Sequence, residues 1–290
     1  MERPEAPKLL RQWTIDAAGI RADRLTYDGR ALDCDPIGLR EDAFQIAIYL
    51  TDCLLAQTWR NDRLFHEASL PKGSVRILDM RHRWRSRHLS SFAMVRYHIP
   101  IARLRSFADM AGRPELGTLS ETISERDDIA FGLAQALLPA FDDPHATHPL
   151  FLDHINLALL THVTQAYGGV HFPASRKGTL APWQERRATD FLSAHMDGQF
   201  SIPALAQECG LSRSHFAKAF KNTFGKTPLR WLAQYRVAKA SDLLLSGMSI
   251  AEVAVMCGFA DQSHLTRAFT EILGEPPGNW RRQRLPQDVL

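Results

Sequence analysis

Apolar positions recur at two different periods along this chain. Between residues 43 and 100 the apolar runs are short, partly alternating, and partly aromatic or β-branched: 44–50, 54–59, 64–70, 75–78 and 92–99. That rhythm predicts strands. Asn61-Asp62 and Pro71-Lys72-Gly73-Ser74 lie between them and carry turn chemistry. Several short strands at this spacing predict a small antiparallel barrel or sandwich. Residues 1–40 show no clear rhythm, with room for a strand or two over 20–34. After Pro100 the period lengthens. A helix is expected over 101–110, stopping at Gly112 and Pro114. Another is expected over 124–138, with Ile129, Leu133 and Leu137 on one stripe and Pro139 closing it. A third, 150–167, carries Leu152, Ile155, Leu159 and Val163 and ends at Gly168-Gly169. Residues 168–182 are rich in Gly, Pro, Ser and basic side chains and read as a linker. From Trp183 onward the pattern is helical, beginning with a helix over 183–196 that ends at Asp197-Gly198-Gln199.

A single stretch of that helical region occurs twice, at 201–228 and 249–277. One extra residue between Phe259 and Ser263 brings the copies into register. Ser-Ile, a central Ala, Cys-Gly, Ser-His, Ala-Phe, Gly and a final Pro then coincide, and Lys218 falls opposite Arg267. In each copy a capping Ser starts a short helix, a glycine makes a turn, and a second helix follows, which is a helix-turn-helix pattern. Ser212 caps the second helix of the first copy, 213–223. Ser249 with Glu252 forms a capping box in the second copy, whose outer helix is 262–273. Between the copies, Thr227 and Pro228 start a helix of about twenty residues, a rod of roughly 30 Å. One turn of B-DNA advances about 34 Å. The rod therefore has the length to place two helices in successive major-groove segments.

Composition adds bounds. The 290 residues suggest two domains, and 45% hydrophobic with 23% charged content is ordinary for globular chains. Neither a membrane-spanning run nor a signal-peptide core is expected, so a cytoplasmic location is the default. Cys34, Cys53, Cys209 and Cys257 form no CxxC pair and point to neither disulfides nor zinc. Cys209 and Cys257 read as small apolar residues before a turn glycine. Net charge is only +3, but 201–240 holds seven Lys/Arg (Arg213, Lys218, Lys221, Lys226, Arg230, Arg236, Lys239) against one acid, Glu208. Such a local basic field points to a polyanion.

Residues 183–284 resemble the DNA-binding domain of AraC/XylS-type transcription regulators. The resemblance rests on A-x-x-C-G-L/F-S/A followed by S-H-F/L, on A-F-K and G-K-T-P, on the R-V-A-K-A-S-D-L-L-L helix, and on I-A-E-V-A-V-M-C-G-F and G-E-P-P-G-N-W-R-R. It covers about a third of the chain. It implies seven helices with two helix-turn-helix units and a connecting helix. It also implies that Ser214, Ala217 and Lys218 sit where the family contacts bases. The N-terminal half is similar to that family in plan only: a β-barrel sensor followed by a helical dimerisation segment.

The expected fold is thus α+β. An N-terminal cupin-like antiparallel β-barrel with a helical dimerisation segment occupies 1–167, a linker 168–182, and an all-α domain with two helix-turn-helix units 183–290. Candidate DNA contacts are Arg213, Ser214, His215, Ala217, Lys218 and Lys221 in the first copy, and Gln262, Ser263, His264 and Arg267 in the second. Gln pairs with adenine and Arg with guanine bidentately, whereas Lys221 suits phosphate. The first copy is expected to supply affinity and the second selectivity. The partners implied are double-stranded promoter DNA, a small effector, a second copy of the chain, and RNA polymerase if the protein is an activator; no cofactor or membrane is implied.

In the N-terminal half, alternation over 81–88 would put four arginines on one face and His82, Trp84, Ser86 and His88 on the other. Arg81, Arg83, Trp84 and Arg85 are the candidate effector residues, an arginine in a cavity being able to clamp a carboxylate. A solvated edge strand is the competing reading. His145 and His148 have a crude metal spacing in a Pro-containing loop. Two other functions compete: a cupin-like metal-dependent enzyme with a helical appendage, for which no metal trio is apparent, and an effector-independent DNA-binding dimer.

Overall fold

A computed structural model describes residues 10–36, 40–143, 146–196, 198 and 200–284, with the backbone alone for 33–36. His145, Asp197 and Gln199 lie outside the described residues, as does the side chain of Cys34.

Ten strands and ten helices are present among the described residues. The strands are β1 (Arg11–Ala17), β2 (Ile20–Tyr27), β3 (Leu32–Pro36), β4 (Ala43–Tyr49), β5 (Cys53–Arg60), β6 (Arg63–Leu70), β7 (Ser74–Asp79), β8 (Trp84–His88), β9 (Phe92–Pro100) and β10 (Thr122–Arg126). Three helices accompany them: α1 (Ile101–Met110), α2 (Asp128–Asp142) and α3 (Pro149–Ala166). Seven follow: α4 (Pro182–Ala194), α5 (Ile202–Glu208), α6 (Arg213–Phe224), α7 (Pro228–Leu245), α8 (Ile250–Met256), α9 (Gln262–Leu273) and α10 (Pro277–Arg284).

The strands form two sheets rather than a closed barrel. The six-stranded sheet runs β1-β2-β9-β4-β7-β10 and the four-stranded one β3-β8-β5-β6. Every neighbouring pair is antiparallel, and no ladder among the described residues joins one sheet to the other. Closure comes instead from side chains between the sheets. Leu25, Ala47, Tyr49 and Met94 of the larger sheet pack in one core with Cys53 and Ala56 of β5. The resulting sandwich needs no barrel shear to bury its apolar residues.

Two strands had no clear rhythm. In β1 only Trp13, Ile15 and Ala17 turn even half inward. β10 carries one apolar residue, and its register shifts at Ser124, whose φ is +72°. The helix expected over 124–138 therefore starts later. The Asp127 carboxylate sets the start by accepting from Ile129 N at 3.1 Å and Ala130 N at 2.9 Å. Pro139 does not close α2 either. It lies in the last turn, where it removes one backbone bond, and burial of Ala140 and Phe141 just beyond it holds the chain helical. The buried stripe is Ala130, Ala134, Leu137 and Phe141, whereas Ile129 is 60% exposed.

The chain divides into two compact units, Met1–Leu104 with Leu119–Val163, and Arg105–Thr118 with Thr164–Leu290. This division differs from boundaries at 167 and 183, because 105–118 and the linker both pack with the C-terminal helices. In that unit Glu115 pairs with Lys226 at 3.6 Å and Arg113 stacks 4.6 Å from the Phe224 ring centre. Linker residue Leu180 is buried and donates its N–H to Thr223 Oγ1 at 2.8 Å.

The helical unit has two cores on one shared rod. Leu205, Cys209, Phe216, Phe220 and Phe224 gather around Trp231 and Leu232, in the first half of α7. Val253, Cys257, Leu265, Phe269 and Trp280 gather around Val237, Ala240 and Leu244, in the second half. α7 has eighteen residues, a length of about 27 Å at 1.5 Å per residue, slightly shorter than expected.

Candidate functional site

The two copies of the repeat fold alike, and their local chemistry explains why. The Ser201 hydroxyl accepts from Ala204 N, and that of Ser249 from Glu252 N, so α5 and α8 begin at matching points. Both helices end at a buried cysteine followed by glycine. Gly210 and Gly258 sit at φ +65° and +71°, which a side chain would oppose. The chain then reverses through paired bonds, Leu211 N to Ala206 O at 3.0 Å and Phe259 N to Ala254 O at 2.9 Å. Burial pushes the Cys209 and Cys257 thiols up to about 11, so both stay protonated and act as apolar filling.

Ser212 starts α6 by accepting from His215 N at 3.4 Å. The cap of α9 is Asp261, which accepts from His264 N at 2.7 Å. Asp261 stands where Ser212 stands once Ala260 is taken as the extra residue, and its different side chain is why the repeat alone did not reveal it. The repeat also extends beyond the residues that disclosed it. Pro277 and Trp280 in α10 stand where Pro228 and Trp231 stand in α7, and both tryptophans are buried.

One face of α6 is buried through Phe216, Ala219, Phe220, Thr223 and Phe224. Arg213, Ser214, His215, Ala217, Lys218 and Lys221 are all exposed on the other face. α9 buries Leu265 and Phe269 and exposes Gln262, Ser263, His264 and Arg267. All ten candidates are therefore at the surface, on the outer helix of each copy. His264 also belongs to the helix start, since its Nδ1 accepts from Ala260 N at 3.4 Å and its ring meets Phe259 edge-on at 5.2 Å.

The basic field is smaller than the sequence count. Glu115 engages Lys226, and Glu271 engages Arg230. Burial pulls the Lys226 ammonium down while Glu115 opposes that pull. Burial likewise raises the Glu115 carboxyl against the opposing effect of Lys226. Arg236 Nε donates to Met196 O at 2.7 Å. Arg213, Lys218, Lys221 and Arg267 form no ion pair among the described residues, so an exposed set of cations remains on the two outer helices.

In the sandwich, β8 alternates as expected, but the arginine face points outward. Arg83 and Arg85 are exposed and lie against Asp62. Arg81 is buried, yet Asp79 holds it in a two-pronged pair, Nε to Oδ1 at 2.9 Å and Nη2 to Oδ2 at 2.8 Å. Trp84 is buried and donates its indole N–H to Asp79 O. None of these four offers a free group to a ligand inside the sandwich, which corrects the sequence-based assignment. The inward residues of β8 are Trp84, Ser86 and His88, and they face a buried arginine that periodicity did not single out, Arg76. The one signal for it was a cation inside the otherwise apolar run 75–78.

Among the described residues no cluster of three or more His, Cys, Asp or Glu could hold a metal ion, and no helix is long and apolar enough to cross a membrane. Residues 205–283 match the family described as "Helix-turn-helix domain". A Streptomyces lividans protein described as an AraC-like transcription regulator is 31% identical over 137 residues, 46% of this chain and 45% of that protein. The virulence regulon transcriptional activator VirF of Yersinia enterocolitica is 28% identical over 151 residues, 52% of this chain and 54% of its own. The chain thus spans about half the length of the curated relatives it matches. ToxT from Vibrio cholerae is 12% identical over 91% of this chain and 98% of its own, at a TM-score of 0.40, a likeness from which nothing about this chain follows.

Proposed function

We infer that this chain is a DNA-binding transcription regulator of the AraC type, with α6 and α9 as its two reading helices. The observation that carries the reading is the helix-turn-helix match over 205–283, on a segment whose two copies each expose a polar, cationic helix face. Arg267 and Gln262 suit guanine and adenine edges, and Lys218 suits a guanine or a phosphate. Lys221, near the end of α6, suits a phosphate. Arg213, Ser214, His215 and Ser263 flank these contacts, while Ala217 and the packed His264 add shape more than hydrogen bonding. The first copy supplies mainly affinity and the second mainly selectivity.

The sandwich is the effector-sensing unit, and effector binding shifts the population that occupies DNA. The dimer seam lies on the helices after the sheets. Leu150, Phe151 and Leu157 of α3 and Ile129 of α2 are exposed apolar residues, which supports that placement. A cytoplasmic location and contact with RNA polymerase belong to the same reading, with activation favoured by relatives named as activators. Because the relatives are regulators, the cupin-like enzyme is not favoured.

The test is genome-wide mapping of bound DNA, followed by binding of the recovered fragments to purified protein. Recovery of a common bipartite motif is the expected result. Fragments with no shared motif, bound no better than random DNA, would sink the assignment.

A further inference from the structure

Arg76 lies in the middle of β7, a strand buried along its whole length, and its side chain is only 2% exposed. Alternation along β7 puts Ser74, Arg76 and Leu78 on one face of the six-stranded sheet. Ala47 and then Arg96 stand beside Arg76 across the ladders, and Gln45 stands beside Leu78. The four-stranded sheet covers this face. From it, Ser86 Oγ accepts from Arg76 Nη1 at 3.0 Å, and His88 Nε2 lies 2.9 Å from Tyr49 Oη.

The charge of Arg76 is not balanced. Among the described residues Ser86 is its sole hydrogen-bond partner, and its Nε is buried without one. The acids of this half serve other arginines: buried Asp23 serves Arg96 at 2.7 Å, buried Asp79 serves Arg81 at 2.8 Å, and half-buried Glu121 serves Arg60 at 2.8 Å. Tyr49 supplies no negative charge, because burial raises its phenol to about 12. Burial first, and then the guanidinium, hold the His88 imidazole down at about 3, so it is neutral too. Two more polar atoms on the same face, Ser74 Oγ and Gln45 Oε1, are buried without partners. A buried cation left in this state is strongly unfavourable unless an anion joins it.

We propose that Arg76 anchors an effector site between the two sheets that takes a small organic carboxylate with an apolar body. The guanidinium fork matches the two carboxylate oxygens, and the Ser74 hydroxyl adds a donor on the same side. Leu25, Ala47, Ala56, Phe92 and Met94 pack in the core of the same interior and surround the sheet face with apolar walls, two of them the short methyls of the alanines. Those walls suit a hydrocarbon or aromatic body rather than a polyhydroxylated one. The proposal rests on the effector-sensing reading only for its consequence at DNA; carboxylate binding is measured apart from it.

The experiment is calorimetric titration and thermal melting of the full chain with sodium acetate, hexanoate and benzoate, and with benzamide as an uncharged control. Hexanoate and benzoate should bind and raise the melting temperature, acetate should bind more weakly, and benzamide should not bind. Arg76→Met should lower benzoate affinity at least tenfold, yet the ligand-free variant should melt no lower than the parent, since an unpaired charge has gone. Ser74→Ala, which leaves the cation in place, should weaken benzoate several-fold. The proposal fails if no carboxylate binds the parent chain at millimolar concentration, if Arg76→Met binds benzoate equally well, or if that variant melts lower or does not fold, which would make Arg76 a structural residue. A DNA arm separates the two readings. If benzoate binds through Arg76 but no DNA fragment is recognised, the regulator assignment fails and the site stands.

Discussion

Arg267 and Lys221 are both exposed cations on short outer helices, yet truncating them should have different effects. Arg267→Ala should relax preference at one or two base pairs by about 1–3 kcal/mol, whereas Lys221→Ala should weaken all sequences alike and reduce the salt slope by about one. Binding-site selection on both variants at two salt concentrations checks this. An unchanged site profile for Arg267→Ala would remove the residue from base reading. At this scale the sequence disclosed which faces are exposed, because helical period and caps are local. It did not disclose pairing. Lys226 and Arg230 entered the basic count, but their partners Glu115 and Glu271 lie far along the chain and meet them only in the folded unit. The arginines of β8 show the same gap: alternation separated two faces correctly, and nothing local said which face was inside.

Among the elements, caps explain why the two copies superpose in pattern although one carries an extra residue. Asp261 fixes the start of α9 directly after that residue, so Gln262, Ser263 and His264 begin the helix as Arg213 and Ser214 begin α6. Asp261→Ala should therefore cost about 1 kcal/mol of stability and blur selectivity more than affinity. Chemical denaturation together with site selection reads both effects. Helices with apolar stripes and clear stop signals were legible from sequence almost to the residue, as at 101–110 and 262–273. Elements decided by tertiary contact were not. β10 is a bulged edge with a single apolar residue, and α2 passes through Pro139 because the residues beyond it are buried. Two sheets in place of a barrel follow from strand pairing, which apolar spacing does not encode.

For the whole molecule, acid should act on the sandwich first. His88 takes up a proton near 6.5 when unfolded but only near 3 when folded. Unfolding thus binds a proton between those values, and stability should fall as pH drops from about 6.5 towards 3. Burial raises Asp23, but hydrogen bonds from Arg96 and Thr14 outweigh it and hold the group below 3.8, adding further loss at the acid end. Melting curves across this range, with His88→Gln flattening the upper part of the slope, check the assignment. Association can be tested separately. Leu150→Asp with Leu157→Asp should shift a dimer to monomer in sedimentation; an unaltered dimer would move the seam off α3. The rod shared by two cores has a consequence of phase. Each residue of a helix turns the chain by about 100° and advances it 1.5 Å. One residue inserted in the middle of α7 would swing α9 a quarter-turn and more around the rod relative to α6, with every side chain of both helices intact. Substitutions on the outer side of α7 should therefore be tolerated where any change in its length is not, making its residue count as much a determinant of the DNA recognised as the side chains proposed to read it.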